Sequence, residues 1–192
     1  QRLVQVVSRV TETDLPVIYA NMVGGQDELV FDGGSFALDR AGKLACHFPY
    51  FSEHLACLTL KRRNDDTHLT GPIAQPDGTE EALWRALMLG LRDYCNKNGF
   101  PSVILGLSGG VDSAVVAALA VDALGAERVH AVMMPSDYTA EISVTDADKL
   151  ANGLGIKLDT IAIRQGMTAF DDMLAPSFAG QEPDLAEENI QS

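Results

Sequence analysis

The 192-residue sequence predicts an α/β protein in two parts: a mixed sheet over residues 1–66 and a parallel α/β sheet over 79–192. Three observations carry this. From residue 102 onward, apolar runs alternate with helical patterns as strand–helix–strand–helix–strand, an order that gives parallel strands with right-handed crossovers. Before residue 61 the apolar runs are short and separated by Asp/Gly turns, which reads as hairpins. Between the two, 67–78 is polar and broken by Gly71-Pro72 and Pro76-Asp77-Gly78, the composition of a linker.

The elements follow in order. Leu3, Val4, Val6, Val7 and Val10 keep the spacing of a helix end. Strands are predicted over 16–20, 28–31, 35–38 and 55–60, with turns at Asp32-Gly33-Gly34 and Asp39-Arg40-Ala41-Gly42. Lys61-Arg62-Arg63 is read as part of a solvated joint, because Asp65 and Asp66 follow it at once. Thr79 can cap a helix that has Glu80 and Glu81 in its first turn, and Gly99 ends it. Its stripe of Leu83, Trp84, Leu87, Met88, Leu91 and Tyr94 predicts a core face. A strand over 102–105, a helix over 111–124 stopped by Gly125, and a strand over 129–134 running into Pro135 come next. A helix over roughly 140–154 and a strand over 158–163 complete the alternation. Asp171, Asp172, Asp184, Glu187 and Glu188 are expected in a solvated, mobile segment and not at a metal, since Pro176, Gly180 and Pro183 interrupt it.

Composition narrows the function. Hydrophobic content of 46% supports a packed core. A net charge of −13 disfavours nucleic acid, whose phosphates are held by Lys and Arg. No apolar run approaches the ~20 residues of a membrane span, and Gln1-Arg2-Leu3-Val4 is no signal peptide. Cys46, Cys57 and Cys95 are odd in number and form no CxxC, which fits a reducing cytoplasm. Cys46, His47, His54 and Cys57 lack paired-ligand spacing for zinc, and ordinary packing is the preferred reading. The chain lacks an initiating Met, opens as the tail of a helix and stops within a helical pattern, so a fragment of a longer protein is expected.

The chemistry concentrates at 106–113, Gly-Leu-Ser-Gly-Gly-Val-Asp-Ser, between a strand and a helix start. A helix N-terminus offers unpaired N–H groups and partial positive charge, which suits an anion. Gly106, Leu107, Ser108, Gly109, Gly110, Val111, Asp112 and Ser113 form the candidate phosphate site. Gly109 and Gly110 permit close backbone approach, and Ser108 and Ser113 add hydroxyl donors. Asp112 would repel a bare phosphate, so a Mg²⁺ between them is implied. No Gly-Lys-Ser/Thr follows, so this is not the Walker loop. Ligands in parallel sheets bind at the carboxyl ends of strands, which brings 134–139 beside this loop. Met133 and Met134 are candidates for apolar and backbone contact with an adenine; packing in the core is the competing reading.

Ser-Gly-Gly-Val-Asp-Ser resembles the pyrophosphate loop of enzymes that split ATP into AMP and pyrophosphate. With Met134-Pro135-Ser136-Asp137-Tyr138-Thr139 and Glu187-Glu188-Asn189-Ile190-Gln191 in that order, 79–192 resembles the synthetase domain of NAD synthetases. Tyr19-Ala20-Asn21-Met22-Val23-Gly24-Gly25-Gln26-Asp27-Glu28-Leu29-Val30-Phe31-Asp32-Gly33 resembles the latter part of the nitrilase-like glutaminase domain of the glutamine-dependent enzymes. The resemblance implies the end of a nitrilase-like α/β/β/α domain, then a Rossmann-like ATP-pyrophosphatase domain. It implies ATP and Mg²⁺, with deamido-NAD and glutamine or ammonia as substrates, and an adenylated intermediate that ammonia displaces. It places Asp112 at Mg²⁺ and Asn189 by deamido-NAD, and suggests that synthetase domains pair. It also implies that the glutaminase Glu, Lys and Cys fall before residue 1, so no catalytic residue of that site lies in this chain, which is expected to be inactive alone. Tyr19, Asn21 and Gln26 either border the glutamine site or ammonia route or fix the local turn; Glu28 is not read as catalytic. Competing readings are an ATP-pyrophosphatase acting on another acceptor and an ATP-binding module without catalysis.

Overall fold

The computed structural model describes residues 2–63 and 66–178, which divide into two compact units between Asn98 and Gly99.

In the first unit, α1 (Arg2–Thr13) turns Val6 and Val10 onto Phe36 and Leu38. These belong to a three-stranded antiparallel sheet of β1 (Val17–Tyr19), β4 (Phe36–Leu38) and β5 (Leu44–His47), in the order β1-β4-β5. Strand side chains alternate between faces, so Ala37 points the other way and packs with Cys46 and Leu69. β2 (Val23–Gln26) and β3 (Leu29–Asp32) make a hairpin whose turn residue Asp27 has φ 52°. β6 (Thr59–Arg63) and β7 (Asp66–Thr70) form a second antiparallel pair. α2 (Thr79–Lys97) packs on β2 and β3.

Three expectations change here. The strand expected over 55–60 begins only at Thr59, and Leu55 stands wholly exposed. Pairing to β7 sets this boundary: Thr59 opposite Thr70 is the end of the ladder, and Leu69 of β7 is its buried apolar position. A strand therefore occupies 66–70, in what reads as a polar joint: Leu69 is its buried position, between the exposed His68 and Thr70. On α2, Leu83, Leu87 and Tyr94 are exposed, while Leu89 and Cys95 are buried. The helix meets β2 through Gly90 and Asp93 instead, because two glycine backbones can approach more closely than a leucine stripe permits.

The second unit is the parallel α/β part. β8 (Val103–Gly106), β9 (Val129–Met133) and β10 (Lys157–Thr160) form a parallel sheet in the order β10-β9-β8. Val129, Ala131 and Met133 of the central strand are buried. α3 (Val111–Leu124) and α4 (Glu141–Leu154) bring buried alanines, Ala117, Ala120, Ala147 and Ala151, and small side chains let helices sit close to strands. Arg128, in a short 3-10 turn, donates to the carbonyls of Phe100 and Pro101 at 2.8 and 2.9 Å, tying the approach to β9 to the approach to β8. β10 stops at Thr160, short of the expected 163. α5 (Arg164–Phe178) follows, so Asp171 and Asp172 lie on an exposed helix and not in an irregular segment; Pro176 enters only near its end. No helix among the described residues is long and apolar enough to cross a membrane.

Candidate nucleotide site

β8 delivers the chain to the loop still bonded to the sheet: the buried Leu107 donates its N–H to the Val132 carbonyl at 2.9 Å. The chain leaves the sheet at Ser108. Gly109 takes φ +81°, and Gly110 is extended as the N-cap of α3. Two serines hold the shape. Ser113 Oγ accepts from the Ser108 N–H at 3.2 Å and donates to the Gly110 carbonyl at 3.0 Å. The two hydroxyls lie 3.1 Å apart, and Ser108 Oγ accepts from the Gly110 N–H at 3.3 Å. The first-turn N–H groups of Val111, Asp112 and Ser113 have no acceptor within the helix, the arrangement that receives an anion.

Gly109 has a reason to be glycine that the sequence did not disclose. A Cβ there would lie 2.2 Å from the Ser143 carbonyl oxygen and 2.7 Å from Ser143 Cα, so the first turn of α4 rests on the loop. At Gly110 a Cβ would meet only Ser108 Oγ, at 3.4 Å. Close approach of a ligand is therefore the reading for Gly110, while at Gly109 the fold already requires glycine.

The loop over 134–139 lies at the end of β9, the strand paired with β8. Met134 is half exposed, and a Cβ on Gly106 would be 3.7 Å from its methyl group. Met133 departs from the expectation. Strand alternation turns its side chain into the core, at 2% exposure, and its carbonyl accepts the Ile161 N–H at 2.8 Å. Of the two, Met134 alone presents its side chain outside the core. Ser136 and Thr139 fold the loop on itself: Ser136 N–H donates to Thr139 Oγ1 at 2.9 Å, and Tyr138 N–H to Ser136 Oγ at 3.2 Å. Arg164 holds Asp137 at 2.9 Å, a neighbour with no motif to announce it.

Asp112 stands exposed in the first turn of α3. No group of three or more His, Cys, Asp or Glu residues among the described ones could hold a metal ion. The donor set fits Mg²⁺, which takes one or two carboxylates and completes its shell with water and phosphate oxygens. Asn189 lies outside the described residues.

In the first unit, Asn21 Nδ2 donates to Asp32 Oδ1 at 2.8 Å and to the Gly33 carbonyl at 2.9 Å. Arg2 bonds the same carboxylate oxygen at 2.9 Å, which raises the Arg2 pKa above its ordinary value. Asn21 thus fixes the turn at 32–34. Tyr19 instead lines a cavity of about 770 Å³ with Arg2, His47 and Tyr50. Gln26 is exposed at the end of β2. Burial pushes the Cys46 thiol upward, away from the thiolate that a nucleophile needs.

A family model described as NAD synthase matches residues 83–192. A glutamine-dependent NAD(+) synthetase of Rhodobacter capsulatus is 50% identical over 96% of this chain and 34% of its own length. One from Synechocystis is 47% identical over 93% of this chain and 32% of its own. The chain thus spans about a third of the length of the curated relatives it matches. Among solved structures, a glutamine-dependent NAD+ synthetase from Acinetobacter baumannii, in complex with ADP, superposes with a TM-score of 0.91 at 40% identity. That match covers 99% of this chain and 36% of the other.

Proposed function

The chain belongs to the NAD synthase family, and on that premise we propose that it serves the ATP-dependent amidation of deamido-NAD to NAD. ATP is attacked at its α-phosphorus by the nicotinate carboxylate; pyrophosphate leaves, and an acyl adenylate remains. Ammonia then attacks the adenylate carbonyl, AMP leaves, and the amide is formed.

Negative charge builds on the oxygens around the α–β bridge. The N–H groups at 111–113, fixed before the substrate arrives, stabilise that charge without reorganising. Ser108 and Ser113 supply hydroxyl donors from positions their mutual bonds already define. Asp112 would hold Mg²⁺, which supplies charge neutralisation at the phosphates when bound. Met134 packs against the adenine; Asn189, outside the described residues, is assigned to deamido-NAD by the family resemblance alone.

Residues 1–66 are the end of a nitrilase-like glutaminase domain, 67–78 join it to the next, and 79–192 begin a Rossmann-like synthetase domain. Glutamine hydrolysis in the first supplies ammonia to the second. Synthetase domains pair into a homo-oligomer, and the protein acts in the cytoplasm on small molecules. The observation that carries this reading is the serine-locked loop whose free N–H groups stand at the carboxyl end of β8, inside the segment matched to the family.

The test uses a protein of the relatives' full length carrying these residues. With ATP, Mg²⁺, deamido-NAD and either nitrogen source, AMP and NAD should appear in equal amounts. AMP without NAD would point to another acceptor, and neither product from folded protein that binds ATP would leave a binding module.

A further inference from the structure

Beyond Thr160 the chain keeps pace with the segment that leaves β9. The Ile161 N–H donates to the Met133 carbonyl at 2.8 Å, and the Ile163 N–H to the Pro135 carbonyl at 3.3 Å. These two rungs advance by two residues on each side, as in a parallel ladder. A third backbone rung would join Gln165 to Asp137. The chain turns instead into α5 at Arg164, and the tie to residue 137 passes to side chains: Arg164 Nη2 holds Asp137 Oδ2 at 2.9 Å.

Arg164 occupies the first position of α5. A cation is disfavoured at that end, where a helix carries its partial positive charge, and α5 has no acid in its first turn. Helix stability therefore does not account for an arginine here. Asp137 brings to the helix end, from a different element, the carboxylate that α5 lacks. A residue that breaks a local rule and is compensated from a neighbouring loop is expected at functional sites.

The loop so held joins two parts of the proposed ATP site. It begins at Met134, beside Gly106, and leaves Met134 and Tyr138 at 53% and 57% exposure, so these large side chains are presented and not packed. It ends at α4, whose first turn rests on Gly109. Within it, the Thr139 N–H donates to the Ser136 carbonyl at 3.2 Å, closing a turn. The turn fixes the loop's shape. The bond to Arg164, anchored just after β10, fixes where that shape stands over the strand ends.

We propose that Arg164 is a positioning residue for the ATP reaction: through Asp137 it holds the 134–139 loop where Met134 and Tyr138 meet the adenosine part of the nucleotide. The proposal rests on the function proposed above. Arg164 touches no reacting atom, so its effect falls on nucleotide affinity and not on the chemical step. Arg164 and Asp137 stand 72% and 59% exposed, which limits the effect to about two- to fivefold, the range an exposed ion pair supplies.

The experiment follows initial rates of the full-length protein at saturating ammonium and deamido-NAD while ATP is varied. Arg164→Met and Asp137→Ala should each raise the KM for ATP about two- to fivefold and lower kcat less than twofold. The double variant should be no worse than either single one, since both remove the same interaction. Arg164→Lys keeps the charge without the planar fork and should recover part of the loss. Lys149→Met removes an equally exposed cation, paired with Asp146 on its own helix, and should leave the KM for ATP unchanged. An unchanged KM in Arg164→Met would overturn the proposal, and so would single effects that add in the double variant. A lower KM in Asp137→Ala would overturn it too, by making Arg164 only a neutraliser of that carboxylate. A rise in Lys149→Met as large as in Arg164→Met would assign the effect to net charge. Should one single variant fail to fold, the other decides. Wild type that makes no NAD from ammonium would overturn the underlying reading instead, and calorimetric ATP titration of the same variants would then still test the pair.

Discussion

Gly109 and Ser143 are in backbone contact: the position a Gly109 side chain would take is 2.2 Å from the Ser143 carbonyl oxygen, and Gly109 holds φ +81°. The phosphate loop is thus braced from outside by the first turn of α4 and from inside by the hydroxyls of Ser108 and Ser113.

The two loop glycines should therefore separate. Gly109→Ala meets both strained φ and a backbone clash, and should lose about 2 kcal/mol or more of stability. Gly110→Ala meets only ordinary contact with Ser108 Oγ and should unfold within about 0.5 kcal/mol of wild type. Its ATP affinity should nonetheless fall sharply. Urea unfolding and calorimetric titration of the two variants check this; a Gly110→Ala protein that binds ATP normally removes the close-approach role.

Ser113→Ala deletes the group that serves the Ser108 N–H, the Ser108 hydroxyl and the Gly110 carbonyl at once. The loop is exposed, so the loss of stability should be about 1 kcal/mol. Nucleotide affinity should fall further than stability does, and Ser113→Thr should recover part of it. Equal affinities in all three proteins would leave Ser113 as a local tie without a ligand role.

Adjacent methionines should also behave oppositely. Met133→Ala empties a buried position and should cost about 2–5 kcal/mol. Met134→Ala, at a half-exposed position beside Gly106, should leave thermal unfolding nearly unchanged and weaken ATP binding. Unchanged affinity in the second would move the base away from this strand end.

Asp159 predicts a pH dependence. Hydrogen bonds from Lys157, at 2.8 Å, and His130, at 2.8 Å, hold its carboxyl below the usual range. A carboxylate with a lowered folded pKa stabilises the fold above its unfolded pKa, and that contribution disappears as pH falls through the folded value. Wild type should exceed Asp159→Asn in stability near neutrality, and the difference should close below the ordinary carboxylate range. Denaturation at a series of pH values reads this; a constant difference would assign the effect to packing.

The order of elements in the parallel half was legible, because most signals there were local, although β10 ends at Thr160 and α5 forms where an irregular segment was expected. Gly125 and Gly155 stop helices, Pro135 ends a strand, and the run over 111–124 matches α3 at both ends. The N-terminal half was less legible. β2 contains two glycines, β5 offers only the short run Leu44-Ala45-Cys46, and β7 is mostly polar, so none has a strand-length apolar run; each is a strand because of what it pairs with. For the site, the loop was visible as a motif. The bracing of Gly109 by Ser143, the inward turn of Met133 and the seating of α2 on Gly25 depend on contacts between distant residues, which no spacing rule encodes.

The most direct measurement is a crystal structure of the full-length protein with Mg²⁺ and a non-hydrolysable ATP analogue. The account predicts phosphate oxygens within hydrogen-bonding distance of the N–H groups of Val111, Asp112 and Ser113, a metal ion between them and the Asp112 carboxylate, and adenine against Met134. A nucleotide bound elsewhere at saturating concentration, with the N–H groups at 111–113 left without phosphate, would contradict it.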